Sequence, residues 1–298
     1  MNDSLQAKLA DVRGVRLTDT QQLYGRGEPL PVLLVNTPQL YAVIALQGAQ
    51  LLEFRPQGDT PWLWLSPQAG FQVGQAIRGG IPLCLPWFGV NQQSPHLAKH
   101  GFVRNAVWQL EQITAGHDGV KLLWRYAYKG ESVDIFAHSF SVQMEMLLGE
   151  TVQLQLHVTN TGSTNMPVSW AWHSYLAVDD LANSSVSGLD GVMYLDNTRG
   201  LLRTLQAGAV VFAAEVDSVY EATTQPQRLE CAQPLMIEGA QCPSCIVWNP
   251  AAVQTLQLPD IEEHYRQFVC VERGAAFADS FVLAPSQHFA SSMTLRRA

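Results

Sequence analysis

Residues 139–160 read SFSVQMEMLLGETVQLQLHVTN, and apolar side chains alternate with mostly polar ones along both halves of this stretch. A period of two places alternate side chains on one face of a β-strand. Gly149 and Glu150 separate the two halves, so the stretch predicts a β-hairpin with one buried face. His157 falls on the opposite face, where we expect it to be exposed and inert.

The same pattern continues outward from this hairpin. Residues 106–115 and 119–128 flank a glycine-containing turn, GHDG, and predict a second hairpin. Helical signals are few, namely residues 4–12 and a short turn after Pro250. Many short strands without alternating helices predict an all-β fold, a large antiparallel β-sandwich with few short helices and a concave face. No linker divides the chain, so we expect one domain over residues 1–298. Further strands are predicted at 31–36, 41–46, 49–54, 229–231, 245–249, 268–272 and 280–284.

Composition narrows the classes of partner and compartment. The 298 residues are 47% hydrophobic and 15% charged, which is typical of a globular protein. A net charge of −8 without any Lys/Arg run disfavours nucleic acid, although a few local arginines could still hold a small anion. No apolar stretch approaches a signal peptide or a membrane span. Five scattered cysteines fit reduced thiols, so we expect a cytoplasmic protein.

Residues 77–90, IRGGIPLCLPWFGV, combine an arginine with a Gly-Gly pair and two prolines. Arg78 offers a planar cationic fork suited to phosphate or carboxylate. Gly79 and Gly80 allow a sharp bend or a close backbone approach. On these residues alone a tight turn leading into buried chain is favoured over an anion site.

Four further residues are candidates for chemistry. His173 lies in an apolar, aromatic stretch, Glu272 ends the apolar run QFVCVE, Asp217 lies in EVDSVY, and His100 precedes a glycine. Taken singly, each is more often an ordinary core or strand-end residue. On neighbouring strands of a concave sheet, however, a carboxylate and a histidine could act as base and acid on a small polar ligand.

Several common site motifs are absent from the sequence. There is no phosphate-binding P-loop, no dinucleotide fingerprint, no HExxH and no GxSxG. The CPSC stretch at 242–245 lacks a second ligand pair, so we interpret Cys242 and Cys245 as buried or incidental thiols.

Five motifs together carry a resemblance to a known family. IRGGIPLCLPWFG (77–89), HGFVRNAVW (100–108), WHSYL (172–176), VDSVY (216–220) and VCVERG (269–274) follow one another in this order. In order and separation they resemble the hexose-6-phosphate mutarotases, or glucose-6-phosphate 1-epimerases. These form the phosphosugar branch of the aldose 1-epimerase (galactose mutarotase-like) superfamily. The strand-rich ends fit the β-supersandwich of that superfamily, so the resemblance covers essentially the whole chain.

The resemblance implies a phosphosugar site. Arg78 and Arg104 correspond to the pair that holds the sugar phosphate, and His100 corresponds to a histidine that lines the sugar pocket. With this role for Arg78, Gly79 and Gly80 would let the backbone pass close to the ligand.

The resemblance also implies the catalytic groups. His173 corresponds to the catalytic acid, Glu272 to the catalytic base, and Asp217 to a carboxylate that binds sugar hydroxyls. The branch that acts on free galactose usually has an asparagine immediately before this histidine, whereas this chain has Trp172. This departure favours the phosphosugar branch.

The implied enzyme is an isomerase that interconverts the α and β anomers of a hexose 6-phosphate, most readily glucose 6-phosphate. Anomer exchange only moves protons while the ring opens and closes, so no cofactor and no metal are expected. The expected partner is the phosphosugar alone, without nucleic acid or membrane, and a monomer is expected.

Three alternatives remain at this point, and one of them keeps the fold and the pocket but takes another phosphorylated metabolite as its ligand. A glycoside hydrolase or lyase would use Asp217 and Glu272 as its carboxyl pair. A non-catalytic sugar-binding module would present exposed tryptophans, such as Trp62, Trp64 or Trp87, as a platform.

Overall fold

Antiparallel strands dominate the computed structural model, which describes residues 2–298. In chain order the strands are β1 (Val15–Asp19), β2 (Pro31–Asn36), β3 (Leu40–Ala45), β4 (Gln50–Pro56), β5 (Leu83–Cys84), β6 (Gln109–Gly116), β7 (Gly119–Tyr128), β8 (Phe140–Leu148), β9 (Val152–Asn160), β10 (Met166–Val168), β11 (Trp170–Trp172), β12 (Tyr175–Ala177), β13 (Ser185–Ser187), β14 (Met193–Asp196), β15 (Leu202–Leu205), β16 (Val210–Val211), β17 (Val216–Tyr220), β18 (Gln227–Glu230), β19 (Leu235–Ala240), β20 (Ser244–Asn249), β21 (Phe268–Ala275), β22 (Phe281–Leu283) and β23 (His288–Arg297).

The helices of the described residues are short. They are α1 (Asn2–Leu9), α2 (Thr20–Tyr24) and α3 (Ala251–Gln254), with 3₁₀ turns at Val103–Asn105, Leu181–Asn183, Asn197–Arg199, Thr255–Gln257, Glu262–Gln267 and Phe277–Asp279. Both predicted helical segments are present, although α1 ends earlier than the predicted residue 12. No helix within residues 2–298 is long and apolar enough to cross a membrane.

Four sheets hold the strands. A nine-stranded sheet runs in the order β16-β13-β18-β19-β23-β9-β8-β7-β6, and an eight-stranded sheet runs β15-β14-β17-β20-β21-β11-β5 with β12 also paired to β21. The strands β1 to β4 form a four-stranded sheet, and β10 pairs with β22. The all-β antiparallel prediction is confirmed.

Both predicted hairpins are confirmed, and the structure gives their registers. In the β8–β9 hairpin Leu148 lies opposite Val152 and Phe140 lies opposite Asn160. The β6–β7 hairpin pairs 109–116 with 119–125 and carries one bulge. His157 is exposed, as its place in the alternation predicts.

The two large sheets pack face to face around the main core. Side chains of β8 and β9 meet Val247 of β20 and Val269 and Val271 of β21 in one apolar cluster. Because side chains alternate along a strand, Ile246 and Glu272 face the other side of the eight-stranded sheet. The cluster draws on residues from Leu5 to Leu295, which favours one domain for the chain.

The Gly79-Gly80 pair packs against protein backbone. A Cβ atom at Gly79 would lie 2.6 Å from Leu65 Cα, and one at Gly80 would lie 2.2 Å from Leu51 O. Both glycines have positive φ angles, of 117° and 63°. The expectation that they let the backbone approach a ligand is therefore wrong, because their close neighbours are β4 and the segment around Trp64.

We predict that Gly80→Ala lowers the free energy of unfolding by roughly 3 kcal/mol, since strain at positive φ adds to the clash with Leu51 O. Gly25 is the matched control, because its φ is 69° and nothing lies within 4 Å of a built Cβ. Gly25→Ala should therefore lose only the backbone term, about 1 kcal/mol. Urea denaturation measures both losses, and equal losses would contradict the packing argument.

Candidate active site

A cavity of about 930 Å³ opens on the face of the eight-stranded sheet that is turned away from the main core. It brings together residues that are far apart in the chain. All six residues singled out from the sequence line it, namely Arg78, His100, Arg104, His173, Asp217 and Glu272.

The pairing of β21 with two short strands brings His173 and Glu272 together. β11 and β12 both pair with β21, and His173 lies in the bend between them. Its backbone N–H donates to Pro82 O at 2.9 Å, which fixes the bend. Across this bend His173 Nε2 lies 3.3 Å from Glu272 Oε1. Tyr175 also holds this ring, because the two rings stack with their centroids 4.8 Å apart.

Burial disfavours a charge on either member of this pair. The exposed fraction is 7% for His173 and 1% for Glu272. Burial lowers the pKa of His173 well below its usual value, and the Arg104 and Arg78 cations lower it further. Burial raises the pKa of Glu272 well above its usual value, and the Asp217 carboxylate adds to this rise. The pair therefore favours a neutral imidazole and a protonated carboxyl group, so that one exchangeable proton lies between Nε2 and Oε1.

Two atoms of this pair have no partner within residues 2–298. They are His173 Nδ1 and Glu272 Oε2, both buried. Buried polar atoms normally find hydrogen bonds, so unpaired ones at the wall of a cavity indicate a place where a polar ligand binds.

Arg78 is held by two side chains at the cavity wall. Its Nε donates to Asp260 Oδ2 at 2.8 Å, and its Nη1 donates to the Tyr175 hydroxyl at 2.9 Å. Ser66 ties this arrangement together, because its N–H donates to Arg78 O and its hydroxyl donates to Asp260 O. Among the described residues Nη2 of Arg78 has no hydrogen-bond partner, so this edge of the guanidinium remains available to a ligand.

Arg104 lies in the 3₁₀ turn that follows the HGF segment. Its Nη2 donates to Lys99 O at 2.8 Å, while its buried Nε has no partner within residues 2–298. Both Arg78 and Arg104 act on the pKa of His173, so the two cations lie near the buried pair.

His100 adopts a left-handed backbone conformation, with φ of 70°. The Gly89 N–H donates to its Nδ1 at 3.3 Å, which places the ring proton on Nε2. Burial and the Arg104 cation lower its pKa well below the usual value, so the ring is neutral. The His100 and His173 rings pack edge to face, with their centroids 5.4 Å apart. Backbone strain at a polar cavity residue is typical of functional sites.

Asp217 projects from β17 and lies two strands away from Glu272. Its Oδ2 accepts a hydrogen bond from Asn197 Nδ2 at 2.6 Å. Burial raises its pKa, and this hydrogen bond opposes the rise. The cavity thus presents a carboxylate with a fixed orientation besides the buried pair.

Two residues of the site were not predicted from the sequence. Tyr175 stands two residues after His173, and this spacing in an extended stretch could have indicated a shared face. Asp260 offered no signal, because its only distinction is a contact with Arg78 across 182 positions of the chain.

The tryptophan platform of the binding-module alternative is wrong. The exposed fractions of Trp62, Trp64 and Trp87 are only 1%, 6% and 8%, so none of them offers an exposed face for a sugar. The interpretation of Cys242 and Cys245 as buried thiols is confirmed, since both are free and buried.

The chain is similar to known proteins over most of its length. Residues 31–296 match the family described as Aldose 1-epimerase. A protein of Escherichia coli (strain K12) named "Putative glucose-6-phosphate 1-epimerase" is 34% identical over 257 residues, covering 84% of each chain. A protein of Cenchrus ciliaris with the same name is 32% identical over 280 residues, which cover 89% of this chain and 83% of that one.

A solved structure agrees with these matches. The crystal structure of a "putative mutarotase" from Salmonella typhimurium superposes with a TM-score of 0.82 at 30% identity, covering 90% of each chain.

Proposed function

Since the chain belongs to the aldose 1-epimerase family, we propose that this enzyme interconverts the α and β anomers of a hexose 6-phosphate, with glucose 6-phosphate as its substrate. One observation carries the finer part of this proposal: two arginines line the same cavity as the buried His173–Glu272 pair. The names of the relatives point to the same substrate.

The reaction needs one group that takes a proton and one that gives a proton. Glu272 takes the proton of the anomeric hydroxyl while His173 gives a proton to the ring oxygen. The bond between C1 and the ring oxygen breaks and an aldehyde forms at C1. The aldehyde turns about the C1–C2 bond, and closure on its other face returns both protons to their donors.

A pair that holds one proton suits this chemistry. Moving that proton from Glu272 to His173 across the 3.3 Å gap yields the carboxylate base and the imidazolium acid together. The total charge of the pair does not change in this step. The sugar then replaces the contact between His173 and Glu272. Its anomeric hydroxyl binds Glu272, and its ring oxygen binds His173.

The phosphate would do more than anchor the sugar. Arg78 and Arg104 lower the pKa of His173 in the empty cavity. A phosphate dianion bound to both guanidinium groups would cancel their field and so favour the protonated acid. Binding of the phosphate would therefore favour the ionic form of the pair that the reaction uses.

His100 and Asp217 would orient the sugar ring. The Nε2–H of His100 is a donor, and the Asp217 carboxylate is an acceptor. Sugar hydroxyls can meet both, which fixes the anomeric carbon relative to Glu272 and His173.

The hydrolase alternative is less well supported. Asp217 and Glu272 stand on β17 and β21, which β20 separates, so their strands lie about 10 Å apart. The group in contact with Glu272 is a histidine instead of a second carboxyl. Hydrolases of the usual kind assign both the acid and the base role to carboxyls.

We predict that Glu272→Gln and His173→Ala each slow catalysed anomer exchange of glucose 6-phosphate by about 10²–10⁴-fold, because each removes a proton-transfer group. Exchange NMR measures the rate above that of buffer, and circular dichroism checks the fold. Glu111→Gln is a matched control, since Glu111 forms a surface ion pair with Arg125. A Glu272→Gln variant with the parent rate would refute the assignment of the base.

We also predict that Arg78→Ala and Arg104→Ala each raise KM for glucose 6-phosphate by roughly tenfold or more, since each removes charged hydrogen bonds. Turnover of free glucose should not fall, because the unphosphorylated sugar has no phosphate contact to lose. Arg125→Ala alters the net charge equally, from a surface position on β7, and should leave KM unchanged. Unaltered KM in both cavity variants would disprove the phosphate contacts.

A further inference from the structure

A third side chain with ligand chemistry lies against the buried pair. Cys270 stands two residues before Glu272, on the same face of β21. The ligand atoms of His173, Cys270 and Glu272 all lie within 4.8 Å of one another, and all three residues are buried. Cys270 is a free thiol, and the proposed reaction gives it no role.

The spacing of these atoms fits a tetrahedral metal ion. An ion bonded at about 2.05 Å to both His173 Nε2 and Glu272 Oε1, which lie 3.3 Å apart, would see them at an angle of about 107°. A thiolate at about 2.3 Å completes the tetrahedron when its sulfur lies about 3.6 Å from each of the other atoms. A shift of roughly 1 Å at Cys270 suffices even if its sulfur starts 4.8 Å away.

We propose that His173, Cys270 and Glu272 form a binding site for one Zn²⁺ ion or a similar thiophilic divalent cation. Nitrogen, sulfur and carboxylate donors suit Zn²⁺, whereas Mg²⁺ and Ca²⁺ require more oxygen ligands. Because His173 and Glu272 line the cavity, the ion enters from there and keeps its fourth position open to it.

Charge balance makes this burial feasible. The divalent ion meets two anions, the Cys270 thiolate and the Glu272 carboxylate, so the bound cluster is neutral. Binding releases two protons to solvent, one from the thiol and one from the His173–Glu272 pair. The metal thus replaces the proton that the pair shares.

The surroundings indicate reversible binding and not a permanent metal. A histidine that holds a resident metal usually donates its other ring N–H to a fixed acceptor. His173 Nδ1 has no such partner among residues 2–298. We therefore expect Zn²⁺ to act as a reversible inhibitor that occupies both proton-transfer atoms, a consequence that rests on the proposed function.

Cobalt spectroscopy tests the site without relying on activity. Co²⁺ substitutes for Zn²⁺ and gives a thiolate charge-transfer absorption when a cysteine binds it. We expect this absorption in the parent protein and its loss in Cys270→Ser. Cys245→Ser is the matched control and should keep the absorption, because Cys245 is an equally buried thiol of the neighbouring strand β20. Its register partner is Arg273, so it faces the opposite side of the sheet from Glu272.

All proteins in this test carry Cys231→Ser, which removes the one cysteine that is only half-buried. Thermal melting checks the fold, and Cys270→Ala replaces the serine variant if that variant is unstable. An absorption that persists without the Cys270 thiol would overturn the proposal.

Inhibition provides the second measurement. Zn²⁺ should slow anomer exchange of glucose 6-phosphate, and Cys270→Ser should require at least tenfold more Zn²⁺ for the same effect. The phosphosugar should compete with Zn²⁺, and a chelator should restore the rate. Equal sensitivity of parent and Cys270→Ser would overturn the site. A Cys270-dependent cobalt absorption in a protein that does not accelerate anomer exchange would refute the proposed function and support the metal site.

Discussion

The burial of strand β21 on both of its faces is the constraint on which the site depends. Every residue from Phe268 to Ala275 is buried, including the adjacent charged residues Glu272 and Arg273. Arg273 is held by neutral oxygens, from Gln227 Oε1 at 2.6 Å and from the carbonyl groups of Cys242 and Thr223. Glu272 instead meets one histidine and keeps an unpaired oxygen. One strand therefore carries a guanidinium satisfied by the fold and a carboxyl group left for a ligand.

This contrast separates structural from functional burial of charge. A buried guanidinium costs free energy unless its donors are paired, and the donors of Arg273 connect two segments to the sheet, one that contains Thr223 and Gln227 and one that contains Cys242. Only one atom of Arg273, its Nε, lacks a partner within residues 2–298. At the cavity His173 and Glu272 contact one another through Nε2 and Oε1, and each keeps one unpaired atom. Burial lowers the pKa of His173 and raises the pKa of Glu272, so both groups favour their neutral forms. Such shifts adjust a buried acid–base pair for proton transfer.

The sequence predicts which face a side chain takes and leaves open which strands become neighbours. Alternation in 139–160 gave the hairpin and the exposure of His157, since both follow from local geometry. The motifs led to six residues that the structure places in one cavity. The contact between His173 and Glu272, however, depends on β11 and β12 both pairing with β21. Likewise a glycine is needed at position 80 because Leu51 on β4 lies too close for a side chain, and no local pattern in the sequence predicts this contact.

The contacts of Arg78 explain why an arginine suits this position better than a lysine. A guanidinium has donors along more than one edge of a rigid plane, whereas an ammonium is a single flexible point charge. Asp260 and Tyr175 occupy Nε and Nη1, and Nη2 stays available. A lysine held by the same two groups would keep one donor, but its flexible stem would not fix the direction of that donor toward the cavity. The planar fork can be fixed by the protein and still bind an anion, so under the proposed function a phosphate would meet a cation that is already oriented.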